Sequence, residues 1–176
     1  IETDYTFSFV TGVIDPWASL PTYERFMLTS AYRDDTRIAM RVAARPTVRF
    51  WLHAIDTSQI GTAMRAYYDD IDRLARRSKL LREWTQTLDA GPTLYGVDEV
   101  LLASEQGGKL APGVYLLRAQ GPRSRDPEMM ALGVVTANLT VKRGPDEMLI
   151  WVTDIQSAEP VAGIAVRLYD GEGRQV

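Results

Sequence analysis

Between Ser58 and Asp89 the apolar residues change period, and that change limits the fold more than any other feature of the chain. Ile60, Met64, Tyr67, Ile71, Leu74, Leu81, Trp84 and Leu88 fall at helical spacing. Asp56 followed by Gln59 resembles a capping box, and Gly91-Pro92 is a firm stop. Ile60, Tyr67, Leu74, Leu81 and Leu88 recur heptad by heptad, while the matching second set decays to Ser78 and Thr85. A half-kept seam suits one helix laid on a sheet better than a coiled coil. Arg77-Ser78-Lys79 is the alternative break into two shorter helices. If the helix covers a sheet, Leu81→Asp should unfold the domain by burying an unpaired charge.

On both sides of this insertion, 58–90, the pattern is β. In YTFSFVTG (5–12), Tyr5, Phe7 and Phe9 alternate with Thr6 and Ser8. Tyr23 to Leu28 reads as a short strand or a helical turn. RIAMRVAA (37–44) puts Ile38, Met40 and Val42 on one face. TVRFWLHA (47–54) puts Val48, Phe50 and Leu52 on one face and Arg49, Trp51 and His53 on the other. Pro46 between them predicts a hairpin or a tight corner. Leu94–Leu102 is a weak strand or an irregular crossing, and VYLLRA (114–119) is a strand. GPRSRDPE (121–128) reads as a linker or long turn and gives the domain boundary. MALGVVTANLTVKR (130–143) is strand-like throughout, with Gly133 as a bulge or bend. MLIWVTDI and VAGIAVRLYD follow.

Parallel βαβ alternation needs several helices of ~10–15 residues between strands, and one region qualifies. An antiparallel sandwich with one helical insertion fits better. With 45% apolar and 24% charged residues, the chain can bury one core, or one core and part of another. A net charge of −3 gives no basic field for nucleic acid. No run approaches the ~18 apolar residues of a membrane helix. Ile1-Glu2-Thr3-Asp4 begins polar without an apolar leader. That is expected of a cytosolic protein, of one starting after processing, or of a segment of a larger chain. Without cysteine there is no disulfide, thiolate nucleophile or Cys-ligated zinc.

No residue set assembles chemistry. His53 is the one histidine, and Asp56 is its only near carboxylate in sequence. A half-buried or surface strand position is its ordinary role. Asp34-Asp35 and Asp69-Asp70-x-Asp72 are carboxylate groups, but a glycosidase pair must face across a cleft at ~5–9.5 Å. For Asp69-Asp70-x-Asp72, on a helix also bearing arginines, salt bridges are expected instead. Gly107-Gly108-Lys109 has Leu110 where a phosphate loop needs Ser or Thr. Gly171-x-Gly173 reads as a hairpin turn. Asn138-Leu139-Thr140 spells a glycosylation sequon inside a strand. Trp17, Trp51, Trp84 and Trp151 are dispersed, and core packing with a partner for each indole N–H is expected. Catalytic, cofactor and metal residues are all expected to be none, and the chain is expected not to be an enzyme.

ANLTVKRGPDEMLIWVTDIQSAEPVAGIAVRLYDGEG (137–173) resembles a segment of the bacterial α2-macroglobulin family. The resemblance rests on Leu139–Arg143, Leu149-Ile150-Trp151-Val152-Thr153-Asp154, Pro160-Val161-Ala162-Gly163 and Val166–Asp170, with Leu110–Leu117 as a PGVYLL-type closing strand upstream. The chain departs at Gln156-Ser157-Ala158-Glu159, where a Thr-Gly pair is commoner. The match covers about 110–173. It implies an excerpt of a larger chain: a macroglobulin-like, immunoglobulin-like β-sandwich (1–127), then the first strands of an incomplete second β domain (128–176). It further implies a scaffold module of a broad-spectrum protease trap, periplasmic or at the cell surface, with a lipoprotein form of the parent chain as one option. Partners would be neighbouring domains and the target proteases. Strands 147–155 and 160–169 should pair with domain one or with a second copy. The alternative is an immunoglobulin-like adhesion or carbohydrate-binding module using exposed tryptophans.

Overall fold

The structure, a computed structural model, describes residues 7–8, 12–20, 26–65, 68–91, 94–170 and 174–175. The side chains of 64–71 lie outside the described residues. So does most of the strand expected over 5–12; Phe7 and Ser8 are not in a strand.

Ten strands are described: β1 (Trp17–Ser19), β2 (Phe26–Ser30), β3 (Arg37–Ala43), β4 (Thr47–Ile55), β5 (Lys79–Thr87), β6 (Tyr95–Leu101), β7 (Gly113–Gln120), β8 (Glu128–Val135), β9 (Ala137–Arg143) and β10 (Met148–Asp154). Between β4 and β5 stand a 3-10 turn (Thr57–Gln59), α1 (Ile60–Arg65) and α2 (Tyr68–Arg77). A three-stranded sheet runs β1-β3-β6, and a five-stranded sheet runs β2-β8-β7-β4-β5. Pairing is antiparallel except for β2 with β8.

Alternation explains the sandwich. Ile38, Met40 and Val42 of β3 face Val48, Phe50 and Leu52 of β4, Tyr115 and Leu117 of β7, and Met130, Leu132 and Val134 of β8 in one core. β7 and β8 are apolar on their other face too, because a helical layer covers it. Leu116, Ala131 and Ile55 pack there on Ala63, Leu74 and Ala75. The mainly β sandwich with a helical insertion is therefore the observed fold.

The insertion is shorter than expected over 58–90. The helices end at Arg77, and 79–87 is an edge strand paired to β4. Leu81, Trp84 and Leu88 are helically spaced only in the spelling. The register passes from Leu52↔Arg82 to His53↔Leu80, so Leu81 is the extra residue of a bulge. It stays 42% exposed, while Trp84 and Leu88 are buried. The break foreseen at Arg77-Ser78-Lys79 is real, but a strand follows it.

The boundary expected at 127/128 falls between two paired strands. Residues 121–127 turn β7 into β8, and β8 is hydrogen-bonded inside the five-stranded sheet. Gly133 holds regular register with Val114 and is no bulge. The separate two-stranded sheet of β9 and β10 starts at Ala137. Residues 160–169, expected as a strand, form only two isolated bridges among the described residues, Pro160 to Thr153 and Tyr169 to Gln175, with the Val161 N–H donating to the Val152 carbonyl at 2.9 Å.

Pro46 makes a corner, not a hairpin, since β3 and β4 belong to different sheets. Ala44 turns it with φ of 52°. At the PGVYLL stretch the Tyr115 hydroxyl donates to the Ala111 carbonyl at 2.6 Å. This tyrosine corner ties the start of β7 to its own approach, and burial pushes the phenol's pKa up.

Candidate functional site

Among the described residues no group of three or more His, Asp or Glu is placed to hold a metal ion, and no helix is long and apolar enough to cross a membrane. His53 is buried on the outer face of β4, beneath the helical layer. Asp56 is not its partner. Asp56 accepts from the Ser58 N–H at 2.9 Å and from the Ser58 hydroxyl at 2.6 Å. Those bonds, the hydroxyl's first, hold the Asp56 carboxyl below its usual range. Asp56 is thus the N-cap of the 3-10 turn through Ser58, not through the expected box with Gln59, whose N–H donates to the Asp56 backbone carbonyl at 2.9 Å.

The other carboxylates are structural. Asp35 accepts the Gly108 N–H at 2.7 Å, and the Thr36 N–H donates to the Gly108 carbonyl at 2.9 Å. Gly107 and Gly108 have φ of 98° and 104°, and a Cβ on Gly107 would lie 2.4 Å from Asp35 Oδ1. The Gly-Gly-Lys loop thus wraps a carboxylate instead of a phosphate. Asp72 pairs with Arg118 at 2.7 Å. Asp69 and Asp70 have side chains outside the described residues, as has the whole of 171–173.

The tryptophans divide. Trp84 stacks on Phe50 with ring centroids 5.0 Å apart. Arg82 lies 4.1 Å from the Trp84 ring centre and donates to the Leu101 carbonyl at 2.8 Å, closing one edge of the sandwich. The Trp84 indole N–H, expected to find a partner, has none among the described residues. Trp51 lies between Arg49 and Arg118, 4.8 and 5.4 Å from its ring centre. Trp17 is half-buried near Tyr95. Trp151 is 54% exposed over a 310 Å³ hollow with Thr140, Lys142, Leu149 and Thr153. Core packing therefore describes Trp84 and fails for Trp151.

The arrangement that organises the molecule is the joint between the sandwich and the β9–β10 hairpin. Asp154, the last residue of the Trp-Val-Thr-Asp stretch, does two things. Its Oδ1 accepts the N–H groups of Gln156 and Ser157, both at 2.9 Å, and so shapes the turn. Its Oδ2 accepts the hydroxyl of Tyr32, from the loop after β2. Tyr32 first, then the Ser157 backbone, holds the Asp154 carboxyl below its usual range. The same bond pushes the Tyr32 phenol up. The Ile155 N–H donates to the Thr136 carbonyl at 2.9 Å, pinning the hairpin's foot. Sequence reading singled out the Trp-Val-Thr-Asp motif but not Tyr32. An exposed tyrosine in a charged loop carries no pattern that announces a distant carboxylate.

An open groove of 690 Å³ lies beside this joint. It runs between Met27–Ser30 of edge strand β2 and Arg37–Ala39 of β3. β1 pairs with β3 only over 41–43, which leaves that part of β3 without a neighbour on that side among the described residues.

No family model matches the chain, and no curated protein sequence does. Solved structures do. The crystal structure of native alpha-2-macroglobulin from Escherichia coli spanning domains MG0-NIE-MG1 matches 93% of this chain with a TM-score of 0.69 at 16% identity. The structure spanning NIE-MG1 matches 92% with a TM-score of 0.67 at 13% identity. The chain covers 53% of the first and 80% of the second, so it spans about half the length of the MG0-NIE-MG1 chain. The fold is that of a bacterial macroglobulin-like region.

Proposed function

We propose that this chain is a scaffold module of a bacterial α2-macroglobulin-like protease trap. Its task is to hold successive β domains in fixed order. One observation carries the reading: a sandwich joined through Asp154 and Tyr32 to a two-stranded sheet with an uncovered apolar face. Leu139, Val141 and Met148 on that face are each nearly half exposed. A two-stranded sheet is marginal alone, so further strands are required to bury it. The E. coli structures, which share the fold and span more than one domain, support this.

The division into units then lies at Thr136: one macroglobulin-like sandwich up to Val135, and the opening of a second β domain from Ala137. The module performs no reaction. Its partners are neighbouring domains of the parent chain, and, through the parent, target proteases. The setting is the periplasm or cell surface.

The test uses the parent protein incubated with trypsin. A trap leaves cleavage of a small peptide substrate intact while protecting a large protein substrate. Equal activity on both, with and without the parent, would sink the reading. The carbohydrate-binding alternative rests on Trp151 alone, since the other three tryptophans are at least half-buried. Polysaccharide titration that quenches its fluorescence would favour that alternative.

A further inference from the structure

The helical layer packs on the outer face of the five-stranded sheet, and a titratable group lies on that face. On the outer face of β4, His53 stands opposite Leu116 of β7, and Trp51 stands opposite Arg118. Arg118 is therefore the diagonal neighbour of His53 across the strand pair. His53 is 7% exposed. Neither ring nitrogen has a well-formed hydrogen bond among the described residues; the Ser78 backbone, just past α2, is the polar group that approaches it.

Arg118 is also the fastening. Its Nη2 donates to Asp72 Oδ1 of α2 at 2.7 Å. The described apolar contact of α2 with the sheet adds only Leu74 and Ala75. The one carboxylate among the described side chains of α2, Asp72, is taken up by Arg118. On its own strand, Arg49 is committed to Glu83 of β5. The end of α2 and the start of β5 bring Arg76, Arg77 and Lys79, all of the same sign.

We propose that His53 is a proton-sensitive latch: neutral, it lets α2 dock on the sheet, and protonated, it drives α2 off. A proton on the ring would place a cation in a largely apolar pocket beside the Arg118 guanidinium. β4 and β7 are interior strands of the five-stranded sheet and cannot yield. The helix, which lies on the outer face of that sheet and has no strand pairing to hold it, can.

The sign follows from the ring's surroundings. Burial first, then Arg118, lowers the His53 pKa, and the Ser78 backbone opposes them. The docked state then binds fewer protons than the released one. Docking is complete at neutral pH and weakens as pH falls through the ordinary imidazole value of about 6.5.

Because the chain has a single histidine, its imidazole resonances need no assignment by mutation. Their titration is expected below the ordinary value. Hydrogen-exchange protection factors, which divide out the chemical pH dependence, should drop several-fold across α2 between about pH 7.5 and about pH 5, while β4 and β7 stay protected. His53→Leu should abolish that drop. Should it fail to fold, His53→Gln is its substitute. Asp72→Asn should loosen α2 at both pH values. A ring that titrates at or above the ordinary value overturns the latch. So does unchanged protection in α2, or a drop that persists without His53.

Discussion

Leu81 and Leu88 share one heptad pattern in the sequence and have opposite fates. Leu81 sits in the β5 bulge, 42% exposed, and Leu88 is fully buried between the sheets. Leu81→Asp, expected from the sequence to unfold the domain, should instead change stability by no more than about 0.5 kcal/mol. Leu88→Asp should cost about 3 kcal/mol or more, because nothing in the apolar core pairs with the carboxylate. Thermal melts of the two variants separate the cases, and equal loss in both would contradict the strand assignment. Gly96 shows a different constraint. Its φ is ordinary, yet an added Cβ would lie 2.4 Å from the Ala90 carbonyl oxygen. Backbone cannot step aside as a side chain does, so Gly96→Ala should cost about 1–3 kcal/mol. Ala158 has the converse problem. It holds φ of 62° in the turn where the resembling family favours a Thr-Gly pair. A side chain in that region costs about 1–2 kcal/mol, partly offset in a glycine variant by ~0.4–1 kcal/mol of added unfolded-chain freedom. Ala158→Gly should therefore raise hairpin protection in hydrogen exchange; a fall would show that the turn is not strained.

At the level of elements, strict alternation was readable and edges were not. β3, β4 and β7 were legible because each carries three or more inward apolar residues two apart, and two-residue spacing has no other reading. β5 was not. Lys79–Thr87 buries only Trp84 fully, and its bulge shifts one leucine into helical phase with the rest. The β-branched Thr85 and Thr87 were the available sign, and the Thr47 and Thr87 hydroxyls do meet across the strands at 3.1 Å. The 121–127 stretch misled for a related reason. Prolines, glycine and charge mark any surface turn, and composition alone does not tell a turn within one sheet from a link between two domains. The Gly-Gly-Lys loop gave no hint of the carboxylate it wraps, because Asp35 lies far upstream in the sequence. The candidate site was legible on the hairpin side only: the motif ending in Asp154 stood out, and its partner Tyr32 did not.

On the scale of the whole molecule, the described polar contacts make the orientation of the hairpin depend on a small joint. The Ile155–Thr136 bond fixes its foot, and the Tyr32–Asp154 bond fixes its tilt against the sandwich. Removing the hydroxyl by Tyr32→Phe should leave the melting of the sandwich unchanged, because Tyr32 lies outside the core. It should widen the range of hairpin orientations, which residual dipolar couplings of β9 and β10 read against those of β7. The pH dependence has a definite sign. Asp154 has a lowered pKa in the joined state, so the joint is at full strength above the ordinary carboxylate range. It weakens as pH falls toward the lowered value and the carboxylate takes up a proton. Tyr32, whose pKa is raised, remains a donor well into the alkaline range. Acid loosening of the joint should thus lie below the pH at which the His53 latch releases α2, and it should vanish in Asp154→Asn, which is already loose. If Tyr32→Phe keeps the wild-type couplings, orientation is set by the backbone at Thr136 and Ile155 alone. The hairpin would then be carried rigidly by the end of β8, and the charge-assisted bond would have no mechanical part in holding the two β units in register.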